Sequence, residues 1–212
     1  VIIMGEIYTI GHTHHTIAKF LAFLDKYNID YLMDVRSVPY SRYAEQFNRE
    51  ALKKVMDKTS VKYVFMGNYF GARQQNPDLY NEAGYLDFEK VRSYQPFIMR
   101  VDNLILGLKK GNNIALMCTE KHPIDCHRAI LIARAFELKG IVVKHILEDG
   151  SCITQDELNQ NLLEMYFPKR NQMSLFEATA ETDEDYLIEA YRLRNKEIGY
   201  HLNGSNDVES AM

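Results

Sequence analysis

The sequence predicts an α/β fold: three layers, a mostly parallel five-stranded sheet with helices on both faces, and a C-terminal extension. Short β-type runs alternate with helical patterns from residue 6 to about 165. That alternation implies parallel strands joined by right-handed crossovers. After Tyr166 the alternation stops and a polar, acidic segment takes over. A chain of 212 residues suits one such domain with an appendage. The domain is therefore placed at residues 6–166 and the extension at residues 167–212.

Residues 6–10 form the first β-type run, ending at Gly11-His12. Thr16 is the start signal for a helix whose Ile17, Phe20, Leu21 and Leu24 share one face. Residues 31–35 are the next strand, running into Asp34-Val35-Arg36-Ser37. A Pro-, Tyr- and Arg-rich loop over 38–48 leads to a helix at 49–58 and a third strand at 61–66. Residues 67–85 carry three Gly, one Pro and many Asn and Gln. They read as a long irregular segment, and such loops inside a domain are usually functional. Residues 88–110 read as helical with a break near Pro96. A buried strand at 113–117, a cysteine-bearing loop, a helix at 127–139 and a strand at 141–146 complete the domain. In the extension, Pro168-Lys169-Arg170-Asn171 is a linker, residues 172–176 an isolated apolar island and residues 178–185 an acidic stretch. Residues 186–202 suit a helix with Leu187, Ala190, Tyr191 and Leu193 inward, and residues 203–212 are expected to be disordered.

Composition narrows the function classes. With 46% hydrophobic and 25% charged residues, the chain has the make-up of a soluble globular protein. No apolar run approaches the ~20 residues of a membrane span, so no membrane partner is expected. The opening Val1-Ile2-Ile3-Met4-Gly5 is too short for a signal peptide and is expected to be an appended scar ahead of a strand. Three cysteines, Cys118, Cys126 and Cys152, are too few and too oddly numbered for a disulfide framework, which points to a reducing cytoplasm. The net charge of −4 is uneven: residues 1–170 come to +2 and residues 171–212 to −6. A near-neutral body has no footprint for strong non-specific DNA binding. Nucleic acid would have to be recognised locally or delivered by a partner.

The chemistry gathers at strand ends. Met117-Cys118-Thr119-Glu120-Lys121-His122-Pro123-Ile124-Asp125-Cys126-His127-Arg128 places two cysteines, two histidines and an arginine between a strand and a helix. Open α/β sheets bind ligands at the carboxyl ends of their strands, and loops have no packing reason to concentrate such residues. In a parallel sheet Gly11-His12, Asp34, Arg36, Ser37, Gly67, Cys118 and Glu120 all open on that one edge.

Tyr8-Thr9-Ile10-Gly11-His12, Asp34-Val35-Arg36-Ser37-Val38-Pro39, Gln46-Phe47-Asn48, Ala115-Leu116-Met117-Cys118-Thr119-Glu120-Lys121, Cys126-His127-Arg128 and His145-Ile146 occur in that order. Together they make the chain resemble the bacterial and archaeal family called domain of unknown function 488. The resemblance implies a fold and a site without an activity. His14-His15 departs from the family's more usual Asn-Arg. Gly67-Asn68-Tyr69-Phe70-Gly71-Ala72-Arg73 departs from its tighter Gly-Gly pair, so the substrate rim is expected to differ.

Cys118, Glu120, His12 and His127 are the candidate catalytic residues. A cysteine before a helix N-terminus can be activated as a nucleophile, or can serve as a small buried hydrophobe; His and Glu suit proton transfer. Gly11, Asp34, Arg36, Ser37, Tyr40, Arg42 and Arg128 are the candidate substrate-binding residues, with Arg36 and Arg128 holding an anion. Tyr40, Arg42 and Tyr43 suit stacking a base or holding a phosphate. The bland alternatives are Arg128 tying the loop to Glu120 or Asp34, and a Tyr-rich loop packed over the sheet edge. His14, His15 and His122 read as surface residues. The layout also resembles rhodanese-like and cysteine-phosphatase domains, but those use a tight C-x5-R loop. Here nine residues separate Cys118 from Arg128 and the loop lacks glycine. The helix is expected to begin at Cys126-His127-Arg128 with Asp125 as its N-cap. A metal site from Cys118, Cys126, His127 and a distant His12 is an alternative, but neither a C-x2-C nor an H-x3-H pair is present, so closed zinc spacing is missing and no metal or other cofactor is expected.

Gln172-Met173-Ser174-Leu175-Phe176 matches the short Q-x-[S/D]-L-F peptide by which bacterial replication and repair proteins dock on the β sliding clamp. Gln172, Leu175 and Phe176 are therefore the candidate partner-binding residues, the alternative being that Leu175 and Phe176 pack back onto the domain. Tethering would bring a near-neutral body to nucleic acid. The expected function is a cytoplasmic enzyme acting on a phosphate-bearing, nucleic-acid-related substrate and recruited through the clamp. The alternatives are a rhodanese-like sulfur-transfer enzyme using Cys118 and a non-catalytic binding module for nucleotides or repair complexes.

Overall fold

The computed structural model describes residues 4–13, 15–170 and 182–202. Its strands are β1 (Ile7–Gly11), β2 (Tyr31–Asp34), β3 (Lys62–Phe65), β4 (Ile114–Cys118), β5 (Val143–Ile146) and β6 (Cys152–Thr154). They form one sheet in the order β3-β2-β4-β1-β5-β6. Every pairing is parallel except β5 with β6. The α/β class holds, with six strands in place of the expected five. The extra strand is only three residues long, too short for periodicity to reveal. It folds back after the Asp149-Gly150-Ser151 turn to pair Ile153 with His145.

β1 and β4 are the adjacent central strands, and all their residues are buried. Alternate residues face opposite layers, as a pleated strand requires. Tyr8, Ile10, Ala115 and Met117 meet Phe20 and Leu24 of α1 (Ile17–Lys26) and Leu52 and Met56 of α2 (Arg49–Met56). Ile7, Ile114, Leu116 and Cys118 face the other core, with Phe97, Leu104 and Leu108 of the long helix and Ile130, Phe136 and Leu158. The loops leaving β1 and β4 thus run to opposite faces, which opens a crevice between their carboxyl ends.

Local chemistry sets most boundaries. The Thr16 hydroxyl accepts the Lys19 N–H and caps α1. A four-residue turn of helix, α3 (Gly67–Phe70), opens the irregular segment. α4 (Phe88–Arg92) is capped by Asp87 and ends before Tyr94; α5 (Gln95–Lys109) then starts with Pro96 in its first turn, where a missing N–H costs no helical bond.

The helix after the cysteine loop differs from expectation. The chain makes a 3-10 turn (Pro123–Asp125), passes through an extended Cys126, and enters a π-helical stretch (Arg128–Ala133) continued by α6 (Arg134–Glu137). Asp125 sits inside the 3-10 turn, so it cannot cap the helix; its carboxylate pairs with Arg194 instead. The Cys126 carbonyl accepts the Ala129 and Ile130 N–H groups.

α7 (Gln155–Tyr166) begins with a Thr154/Glu157 capping box, and α8 (Asp183–Ile198) with a Thr182/Asp185 box. α8 docks on the domain through Leu187, Ala190, Tyr191 and Asn195. Asn195 accepts the Phe88 N–H and donates to the Leu86 carbonyl. Leu193, expected to point inward, is only half-buried, and Asn195 takes the buried position one turn beyond Tyr191. The apolar island at Gln172, Leu175 and Phe176 lies outside the described residues.

Candidate functional site

β4 ends at Cys118, and the loop returns Cys126 and His127 to the same place. The His127 Nδ1 lies 3.8 Å from the Cys118 Sγ and 3.8 Å from the Cys126 Sγ. All three donor atoms lie within 4.8 Å of one another. The opposite ring nitrogen, Nε2, is 3.2 Å from the Val35 carbonyl at the end of β2. A carbonyl accepts only, so Nε2 carries a proton, and Nδ1 is the nitrogen that faces both sulfurs. The two thiols are inequivalent. The hydrogen bond to Cys126, then burial, push the Cys118 thiol well up. Burial opposes ionisation of Cys126 too, but the bond from Cys118, the Arg128 charge and His127 outweigh it and hold Cys126 well below the ordinary thiol range. Of the two, Cys126 is the thiol whose surroundings favour the thiolate.

Arg128 braces the loop. It is the largest fully buried side chain among the described residues. Its Nη1 donates to the Glu120 carbonyl at 2.7 Å, its Nη2 to the Lys121 carbonyl at 3.2 Å and its Nε to the Thr9 hydroxyl at 3.3 Å. Gly11 lets the loop cross close: a Cβ there would stand 1.9 Å from the Glu120 carbonyl oxygen. From Thr9 a buried polar chain leads away from the site. The Thr9 hydroxyl is 2.8 Å from the His145 Nδ1, and the His145 Nε2 is 2.7 Å from the Gln155 side-chain oxygen. Gln155 donates to the Tyr191 hydroxyl, which donates to Asn159, which donates to Glu137. Every link satisfies a group that burial would otherwise penalise.

His12, Asp34 and Arg36 form a second, closed group. The Arg36 guanidinium clasps both Asp34 oxygens, at 2.8 and 2.6 Å, and donates to the Phe47 carbonyl. Tyr63 donates its hydroxyl to Asp34 at 2.7 Å. The remaining guanidinium nitrogen is 3.1 Å from the His12 Nε2, and the His12 ring stacks on Phe47 at 4.5 Å. Burial, then the neighbouring Arg36 charge, lower the His12 pKa to about 3. His12 is therefore neutral at physiological pH. With Nε2 accepting from Arg36, its proton sits on Nδ1, which is buried without a hydrogen-bond partner among the described residues. Both arginines expected to grip an anion are committed to protein oxygens. Arg128 serves the loop-tying role given as its alternative, although its partner is the Glu120 main chain and not the carboxylate.

The strand-edge cleft lies over the cysteines. It encloses roughly 410 Å³, with Cys118, Cys126 and His127 among its lining and Arg36, Ser37, Thr119 and Glu120 beside them. Burial within the cleft, then the charge at Cys126, raise the pKa of the Glu120 carboxyl. Tyr40 reaches the cleft from the loop after β2 and is exposed, whereas Arg42 is exposed outside it. Asp34 is wholly buried behind Arg36. His122 is on the surface as expected, but His15 is buried, with its ring edge-on to Phe23. His15 follows the buried strand end and its N–H returns to the His12 carbonyl, a turn that carries it inward. Its neighbour His14 lies outside the described residues.

Sequence reasoning missed part of the lining. Arg73, whose guanidinium lies 4.7 Å over the Tyr200 ring, lines the cleft together with Ile198, Gly199 and Tyr200 from the end of α8. Nothing local marks Ile198, Gly199 and Tyr200, because they reach the edge only through the docking of α8, whereas Arg73 comes from the irregular segment at 67–85. Cys126 was visible in the loop, but its spacing from Cys118 matched no known ligand pattern. Among the described residues no helix is long and apolar enough to cross a membrane.

A model of the family described as "Domain of unknown function DUF488" matches residues 16–135, more than half of the chain. The matched stretch contains Asp34, Arg36, Cys118, Glu120, Cys126, His127 and Arg128. Neither a curated protein nor a solved structure gave a match.

Proposed function

Because the chain belongs to the DUF488 family, whose description names no reaction, we propose its function from the site: an enzyme acting in the strand-edge cleft on a nucleic-acid-related substrate. The observation that carries this reading is the convergence of Cys118, Cys126, His127 and Glu120 in a cleft large enough for a nucleotide-sized ligand. Thiol, imidazole and carboxylate are the side chains of nucleophilic and proton-transfer chemistry. Around them Tyr40, Arg73 and Tyr200 offer faces on which a base can stack. Ser37 and Thr119 add polar contacts, while Arg36 and Arg128 shape the walls. In this reading the enzyme works in the cytoplasm, and Gln172, Leu175 and Phe176 recruit it to the β sliding clamp.

The test begins with ligand binding. Nucleosides, nucleotides and short single-stranded DNA are titrated against the protein, and turnover of any binder is followed by mass spectrometry. Tyr40→Ala and Arg73→Ala are expected to weaken binding at least ~10-fold, the scale of losing one stacked base contact. Cys118→Ser and Cys126→Ser are expected to abolish turnover. If no member of the panel binds even at millimolar concentration, the substrate class is wrong. A pull-down with the clamp, with and without Leu175→Ala and Phe176→Ala, tests recruitment; undiminished capture by the double variant would refute it.

A second reading, sulfur transfer, is favoured by the proximity of two thiols to one imidazole. One cysteine thiolate would attack the outer sulfur of a donor such as thiosulfate, forming a persulfide as sulfite leaves, and an acceptor thiolate or cyanide would later take that sulfur and restore the thiolate. Incubation with thiosulfate should then leave one added sulfur atom on Cys118 or Cys126, and an unmodified protein would remove this reading.

A further inference from the structure

We propose that Cys118, Cys126 and His127 form a three-donor site for a thiophilic d10 cation, Zn2+ foremost, with its fourth coordination position facing the cleft. The geometry is close to what such an ion needs. Ligands at ~2.3 Å (sulfur) and ~2.05 Å (nitrogen) around a tetrahedral centre stand ~3.6 Å apart. The two sulfur–nitrogen edges here are 3.8 Å, within a few tenths of an ångström of that separation, and a bound ion would draw the two sulfurs to ~3.8 Å from each other. The third edge, sulfur to sulfur, is within 4.8 Å.

The donors are also held from behind. Metal-bound imidazoles typically donate their second N–H to a carbonyl or carboxylate, which sets ring orientation and tautomer. The His127 Nε2 does this toward the Val35 carbonyl. Cys118 is fixed at the end of a central strand, and Cys126 lies between a 3-10 turn and a π-helical stretch. Single π turns in helices are frequently found at functional sites. Arg128 ties down the intervening loop through the Glu120 and Lys121 carbonyls. Two sulfurs and one imidazole select Zn2+ or Cu(I) over oxygen-seeking Mg2+ and Ca2+. Because three protein ligands leave a position open, the site has the make-up of a reactive centre more than of a closed structural one. Binding releases whatever thiol protons remain, and no electron is transferred.

This inference shares its residues with the enzyme reading and does not depend on turnover. An ion held with no substrate found would leave it standing, and turnover by metal-free protein would leave only the enzyme reading. A bound ion would occupy both thiols, which sets it against sulfur transfer. For the test, the reduced full chain is stripped with chelator and titrated with Co2+, then with Zn2+, and the bound metal is measured by elemental analysis. One ion per chain is expected, with the thiolate-to-cobalt charge-transfer band and intense tetrahedral visible bands, both erased by Zn2+. Cys118→Ser, Cys126→Ser and His127→Gln should each weaken binding by more than the ~10–100-fold that loss of an outer partner costs. Cys152→Ser, at the far edge strand, should bind as the wild type does. Wild-type protein with all thiols reduced that takes up no ion overturns the proposal. So does cobalt with an oxygen-ligand spectrum, or binding that survives Cys118→Ser and Cys126→Ser together. Because the wild type alone decides the first two outcomes, a variant that fails to fold does not rescue the idea.

Discussion

His145 makes the stability of this protein depend on pH. The imidazole is fully buried between Thr9 and Gln155. Burial, then the nearby Arg128 charge, lower its pKa from 6.5 to about 3. The unfolded chain therefore takes up a proton near pH 6.5 that the folded chain refuses until about pH 3. Wherever the unfolded state binds more protons, stability rises with pH. The contribution of neutral His145 is thus complete above pH 6.5 and is lost as pH falls toward 3. Between about pH 7.5 and about pH 5 the two pKa values give a loss of about 2 kcal/mol from this residue, or about 1 M in urea midpoint for an m-value of ~2 kcal/mol/M. The assay is urea denaturation of wild type and His145→Gln at both pH values. The amide does not titrate, so the variant should be less stable at the higher pH but should lose about 2 kcal/mol less on acidification. His12, with its pKa lowered in the same direction, contributes to both proteins and cancels in the comparison. Equal losses in the two proteins would show that burial of His145 does not govern this pH dependence.

Asp34→Asn should cost ~3–5 kcal/mol in urea denaturation, because it leaves the buried Arg36 charge without its partner. Asp34→Asn with Arg36→Met should cost less than that single change, and a double variant worse than the single one would contradict the pairing. Gly11→Ala pushes a methyl group into the Glu120 carbonyl and should cost about 3 kcal/mol while speeding thiol labelling of Cys118 and Cys126. Unchanged melting and labelling would mean that the loop does not cross so closely. Asn195→Ala strips partners from the buried Phe88 N–H and Leu86 carbonyl, a loss of about 1–3 kcal/mol for each group left unsatisfied. It should also speed proteolysis within α8, and digestion at the wild-type rate would argue that other contacts hold the helix.

Much of the fold was legible in the chain, for physical reasons that can be named. A strand buried on both faces must be apolar throughout, so the run at 113–117 announced β4 to within one residue at each end, and Thr16 marked α1 because its hydroxyl can satisfy a helix-end N–H. β6 stayed hidden because three residues carry no period. The misplaced cap at Asp125 has a similar origin: an acidic residue before a helix is a good local cap. Here the partner that claims it, Arg194, comes from a helix almost seventy residues away.

The site divides along the same line. Parallel alternation alone dictated that Gly11, Arg36, Cys118 and Glu120 meet at one edge, because a βα repeat points every strand end the same way. What each residue does there was a tertiary decision. Arg36 and Arg128 look like anion grips in sequence; in the structure carbonyls and a carboxylate engage them. Cys118 and Cys126, too far apart in sequence for any ligand pattern, are brought to one imidazole because Arg128 pulls the loop back across Gly11. The end of α8 closes the cleft only by docking. Sequence located the edge; the competition of long-range partners for each buried polar group decided which side chains remain for chemistry.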